Sequence, residues 1–74
     1  MSSQEILALN VKVLRSLRGL TQEELAETAD MKRTQISALE RGHRGVQMET
    51  IDRLAKALGV DPWELLRPRD CTGR

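Results

Sequence analysis

Aromatic residues are nearly missing from this chain of 74: it has one tryptophan, Trp63, and no Phe or Tyr. A core without rings must be assembled from Leu, Ile, Val, Ala and Met, a palette that favours helix over strand. Cysteine is almost absent as well. Cys71 stands alone, so no disulfide can form within the chain, and neither it nor His43 has a second donor at metal-ligand spacing. A reducing cytoplasm is the expected location. No apolar run is long enough to cross a bilayer, and the N-terminus lacks the pattern of a signal peptide. There is no Ser/His/Asp set, no metal cluster and no phosphate-binding loop. An enzyme is therefore not expected, nor a cofactor, a metal or a small-molecule substrate. The length allows one small domain with a modest core. We expect it over residues 1–67, with a polar tail over 68–74.

Net charge is also small, +1, but it is unevenly divided. Residues 1–18 carry +2, from Lys12, Arg15 and Arg18 against Glu5. Residues 19–30 carry −4, from Glu23, Glu24, Glu27 and Asp30. Residues 31–44 return to +3, with Lys32, Arg33, Arg41 and Arg44 against Glu40. Residues 45–66 carry −2 and the tail +2. Such alternation is what salt-bridged surface helices show. It is also what a nucleic-acid binder shows, since binding needs a basic face and not a basic protein.

What is present is a sequence punctuated for five helices. The first runs from about Ser3 to Arg18. Leu7, Val11 and Leu14 form one apolar line, and Ile6, Val13 and Leu17 form a second beside it. Gly19 ends it. Thr21 with Glu24 is a capping box that opens the second helix, where Leu25 and Ala26 face inward. The third starts near Lys32 and ends at Gly42, with Ile36 and Leu39 inward. His43 to Gln47 form a loop. The fourth places Met48, Ile51, Leu54, Ala55 and Leu58 on one side and ends at Gly59. Asp61 caps the fifth, Pro62 suits its first position and Glu64 closes another capping box. Pro68 stops it.

The most informative stretch is QEELAETADMKRTQISALERG, residues 22–42. Ala26 is small where two helices must cross closely. Asp30 follows four residues later, where the chain must turn, and Ile36 comes six residues after that, on the inward side of the next helix. Small, turn and branched apolar residues at that spacing are what a helix-turn-helix needs. The second of these helices opens with Lys32, Arg33, Thr34, Gln35 and Ser37, side chains suited to phosphates and base edges in a major groove. Sequence-specific binding of double-stranded DNA is the expected function.

The runs LRSLRGLTQEELAETAD, RTQISALERGHRG and METIDRLAKALGVDPWELL, within residues 5–67, resemble the lambda-repressor/Cro-like helix-turn-helix family. The resemblance implies an all-α, five-helix DNA-binding domain with the helix-turn-helix at helices two and three. Among family members the chain looks most like the restriction–modification controller proteins, short dimeric regulators that time expression of an endonuclease relative to its methyltransferase. Short antitoxins and prophage repressors share the domain, so a protein-interaction module is the alternative. Two positions depart from the family pattern. Asp30 stands where Gly is common, and Asp tolerates the left-handed conformation better than most residues. Lys32 stands where Ser or Thr often caps helix three, and Lys is a poor cap.

The resemblance also assigns roles. Arg33 and Thr34 lie where the family reads bases; Arg33 can bond guanine O6 and N7 together, and Thr34 can meet a thymine methyl or a phosphate. Gln35 and Ser37 could add base or phosphate contacts or face water. Gln22, at the N-terminus of helix two, is placed to bond a phosphate. Lys32, Arg41, His43 and Arg44 are basic or polar neighbours for the backbone strand. Arg15 is expected to pair with Glu40 and tie helix one to helix three. Trp63 could fill the core or anchor a dimer, and Val46 and Met48 lie on the side where family dimers join. The apolar side chains exceed what five short helices can bury alone, which also favours a homodimer. RNA polymerase is a further candidate partner.

Overall fold

Side-chain caps decide where the first two helices begin. In the computed structural model, which describes residues 2–42 and 46–68, Ser2 Oγ accepts from the Glu5 backbone N–H and Glu5 Oε1 accepts from that of Ser2. This reciprocal box opens α1, Ser3–Leu17. The Ser2 backbone N–H, and after it the Ser2 hydroxyl, lower the pKa of the Glu5 carboxyl from its ordinary value. Thr21 and Glu24 form the expected second box and open α2, Gln22–Thr28. The remaining elements are α3, Arg33–Glu40, α4, Met48–Leu58, and α5, Pro62–Leu66. There is no strand among the described residues.

The turn between α2 and α3 depends on Asp30, which adopts φ 58°. Behind it Met31 N–H donates to the Ala26 carbonyl at 2.7 Å and Asp30 N–H to that of Glu27 at 3.3 Å. These bonds satisfy carbonyls that the end of α2 would otherwise leave bare. Gly59, at φ 73°, ends α4 in the same left-handed way.

The core joins all five helices. Leu7, Val11 and Leu14 of α1 meet Leu25 and Ala26 of α2, Ile36 and Leu39 of α3, Ile51, Leu54, Ala55 and Leu58 of α4, and Leu65 of α5. The packing runs α2 on α3, α1 on both α3 and α5, and α4 on α5.

Three expectations change, and one open alternative, that of Trp63, is decided. Leu17, at the end of the second apolar line on α1, is 73% exposed. Ala8 and Asn10, outside both apolar lines, are buried on α1. Trp63 is 56% exposed, with the Arg67 guanidinium 5.6 Å above its ring, so it does not fill the core. Met48 is 61% exposed and does not share the inward side of α4. Asp61 does not cap α5 with its side chain; only its backbone carbonyl accepts, from Glu64 N–H, and the Asp61–Glu64 box does not form.

Asn10 was not foreseen. It is fully buried, and its Nδ2 donates to the carbonyls of Leu65 and Arg67, both at 2.8 Å. A helix-interior amide on α1 thus satisfies the C-terminal backbone of α5. Arg18 does likewise for α4, donating from Nε to the Leu58 carbonyl at 2.8 Å. α1 is therefore both a wall of the core and the supplier of caps for two other helices.

Candidate nucleic-acid interface

α3 has two unlike sides. Ile36, Leu39 and Glu40 are buried. Arg33, Thr34 and Gln35 are exposed, and Ser37 and Ala38 are half-buried. Arg33, Ser37 and Arg41 recur at the four-residue interval that stacks side chains along one helix face. Lys32 and Arg41, at the two ends, are exposed as well. Lys32, Arg33 and Arg41 have no ion-pair partner among the described residues. The structure thus gathers Lys32, Arg33, Thr34, Ser37 and Arg41 on or beside one accessible helix, with free cations at both of its ends. His43 and Arg44 lie outside the described residues.

The start of α3 is built in an unusual way. Lys32 occupies the N-cap in extended conformation, but an ammonium has no lone pair to offer. The Gln35 side chain supplies the other half of a capping box, its Oε1 accepting from the Lys32 backbone N–H at 2.9 Å. Gln35 therefore does local structural work with its oxygen and keeps its amide N–H groups for anything outside.

The end of α3 is held by the expected pair. Arg15 Nε donates to Glu40 Oε2 at 2.6 Å and Nη2 to Oε1 at 3.1 Å, a two-pronged contact. The side chains are only 17% and 3% exposed. The third prong, Nη1, donates to the Leu20 carbonyl at 2.8 Å. The Glu40 hydrogen bond raises the affinity of Arg15 for its proton, with burial opposing it. No buried side-chain polar atom among the described residues lacks a partner.

Gln22 departs from the simplest expectation. It is half-buried, and its Nε2 donates to Glu40 Oε1 at 3.0 Å. The residue expected to meet a phosphate is thus engaged with the buried carboxylate at the far end of α3. No sequence periodicity relates positions 22 and 40; only the crossing of α2 and α3 brings them together.

Of the residues expected at a dimer face, Met48 and Trp63 are exposed and Val46 is half-buried against the core. Leu17 and Leu66 add further exposed apolar surface. The described residues contain no cluster of His, Cys, Asp or Glu that could hold a metal, and no helix long and apolar enough to cross a membrane.

A helix-turn-helix family model matches residues 11–65. The chain is 44% identical over 66 residues to the control protein C.SmaI of Serratia marcescens, covering 89% of this chain and 79% of that protein. It is 40% identical over 63 residues to a hypothetical transcription factor of Neisseria meningitidis, covering 85% of this chain. The match spans 59% of that relative's own length. The crystal structure of the restriction-modification controller protein C.AhdI from Aeromonas hydrophila superposes with a TM-score of 0.81 at 35% identity, over 84% of this chain and 94% of that one.

Proposed function

We infer, from a chain that belongs to the helix-turn-helix family of DNA-binding transcription regulators, that it acts as a homodimer on near-palindromic operator half-sites and controls restriction–modification genes. The observation that carries this reading is α3 itself: an exposed polar stripe on a helix whose other side is locked into the core. Arg33 and Thr34, in its first turn, are the base readers, with Ser37 and the Gln35 amide beside them. Lys32 and Arg41 contact phosphates, and His43 and Arg44 extend that contact along the backbone. The similarity to C.SmaI and C.AhdI supports the controller role.

One chain offers one reading helix. Two copies related by a twofold axis would present two, at the roughly 34 Å that separates successive major grooves on one face of the duplex. Exposed Met48 and Trp63 and half-buried Val46 supply apolar surface that such a pairing would cover. The test is a footprint on DNA upstream of the gene at several protein concentrations, with sedimentation in parallel. Two protected half-sites and a dimer are expected. A monomer with and without DNA, or no protection at any concentration, overturns the reading.

A further inference from the structure

We propose that Gln22 is a positioning residue that sets the angle of α3 through Glu40, and that this is how it contributes to reading DNA. The proposal rests on α3 being the groove helix. Its basis is the geometry of two helices joined at one end. The turn at Asp30 connects the C-terminus of α2 to the N-terminus of α3. The turn fixes the two helices to each other at that end only, and the core packing of Leu25 and Ala26 with Ile36 and Leu39 holds their inner faces. Gln22 is the first residue of α2 and Glu40 the last of α3, the two ends that the turn does not connect. The 3.0 Å bond between them closes the open side of the pair.

Glu40 is a stiff anchor. Its side chain is 3% exposed, and Arg15 grips both carboxylate oxygens while also bonding the Leu20 carbonyl in the α1–α2 connection. Oε1 takes Gln22 Nε2 as well as Arg15 Nη2. The carboxylate therefore joins α1, the connection after it, α2 and α3 at one point. A hydrogen bond to a charged acceptor is among the stronger ones, more so when shielded from water. The base-reading turn at Arg33 lies at the opposite end of α3 from this anchor. A small change of tilt at Glu40 is therefore carried along the helix to Arg33.

The test separates action through Glu40 from a direct phosphate contact. Gln22→Ala is made in the wild-type chain and in an Arg15→Met/Glu40→Leu background, where the ion pair is replaced by apolar side chains of similar size. Binding is measured on the duplex that the wild-type protein enriches from a random-sequence pool, and on a scrambled duplex. In the wild-type chain Gln22→Ala should weaken the enriched duplex by about tenfold and the scrambled one distinctly less. In the apolar background it should change affinity by no more than about twofold. Equal losses in both backgrounds and on both duplexes mean a direct phosphate contact and overturn the proposal, as does no loss in either.

A DNA-free measurement stands beside it. The backbone amide resonances of Arg33–Ser37 should shift in Gln22→Ala without DNA present; if they do not move, Gln22 does not set α3. These spectra decide the matter if the apolar background does not fold. If the wild-type protein enriches no duplex, it is the DNA-binding reading that fails, and the spectra still decide whether Gln22 positions α3.

Discussion

α3 and α4 are neighbouring short helices that reach stability by opposite means. α4 obeys every local rule past its first residue. Glu49 sits in its first turn and Lys56 in its last, complementing the helix dipole, and Glu49 pairs with Arg53 one turn on at 3.6 Å. Ile51, Leu54, Ala55 and Leu58 bury one continuous face. The N-terminus of α3 is charged the wrong way round, although Arg41 caps its other end. Lys32 and Arg33 crowd its N-terminus, no acid lies in its first turn and no base in its last, and Glu40 closes its negative end. It buries only Ile36 and Leu39 as apolar anchors. α3 is kept in place from outside, by Arg15 at its C-terminus. At the N-terminus a duplex phosphate would supply the missing anion. On the proposed reading, the helix that meets DNA gives up local stability that a helix serving only the core retains.

The largest effect should come from breaking α4 where it is strongest. Leu54 is fully buried, so Leu54→Ala removes transfer energy and leaves a cavity, at a cost of about 2–5 kcal/mol. Urea unfolding should show that loss, and for a domain this small it should leave much of the population unfolded in buffer. A midpoint close to wild type would mean that α4 is not the stable partner in the comparison.

Breaking α3's external support comes next. Glu40→Leu strands a guanidinium that is 17% exposed, and should cost about 3 kcal/mol. Replacing both partners, as Arg15→Met/Glu40→Leu, should restore most of that stability while binding to the enriched duplex stays weak. Restored binding would show that the pair serves stability alone. The raised proton affinity of Arg15 sets the sign of any pH effect. Its contribution is fully present below the ordinary arginine value and is lost only as pH rises through the higher folded one. Denaturation across neutral pH should therefore show no step from Arg15.

How much of this was legible beforehand differs between the same two helices. The buried face of α4 lay in its spacing at Ile51, Leu54, Ala55 and Leu58, and Gly59 marked its end, because apolar periodicity and helix stops are local signals. The turn at Asp30 was likewise readable. Glu40 was placed by family resemblance and confirmed by geometry. The partners that came from distant segments were not readable: Gln22 on Glu40, Asn10 on the carbonyls of Leu65 and Arg67, Arg18 on that of Leu58. Each is a polar bond whose partner is chosen by helix crossing, which leaves no periodic trace. The exposure of Leu17 and Met48, both on apolar lines of their helices, and the choice between core and surface for Trp63 were not readable for a related reason, since periodicity reports which side of a helix is apolar but not whether a neighbour reaches that far.

Arg33 probes the exposed stripe without touching the core. Arg33→Ala should leave the domain no less stable in urea unfolding, since it removes a cation from the positive end of the α3 dipole, while weakening the enriched duplex by about 1–3 kcal/mol and relaxing preference at one base pair. An equal loss on scrambled DNA would make Arg33 a backbone contact instead of a base reader.

The smallest change sharpens the comparison most, because it sets stability and function against each other at one position. Lys32 is the N-cap of α3 but offers no acceptor, and only Gln35 completes the cap. Lys32→Ser would place a hydroxyl where the N-terminal amides need one and remove a cation from the positive end of the helix dipole. Both changes favour the helix, so the domain should gain about 0.5–1 kcal/mol in urea unfolding. The same substitution removes an exposed, unpaired ammonium beside the reading turn. If that ammonium meets a phosphate, binding to enriched and scrambled duplexes should weaken alike, and the slope of log affinity against log salt should fall by about one. A gain in stability with an unchanged salt slope would mean that Lys32 is simply a poor cap. A loss on both duplexes from a more stable protein would show that α3 carries its charge at the wrong end because DNA completes it.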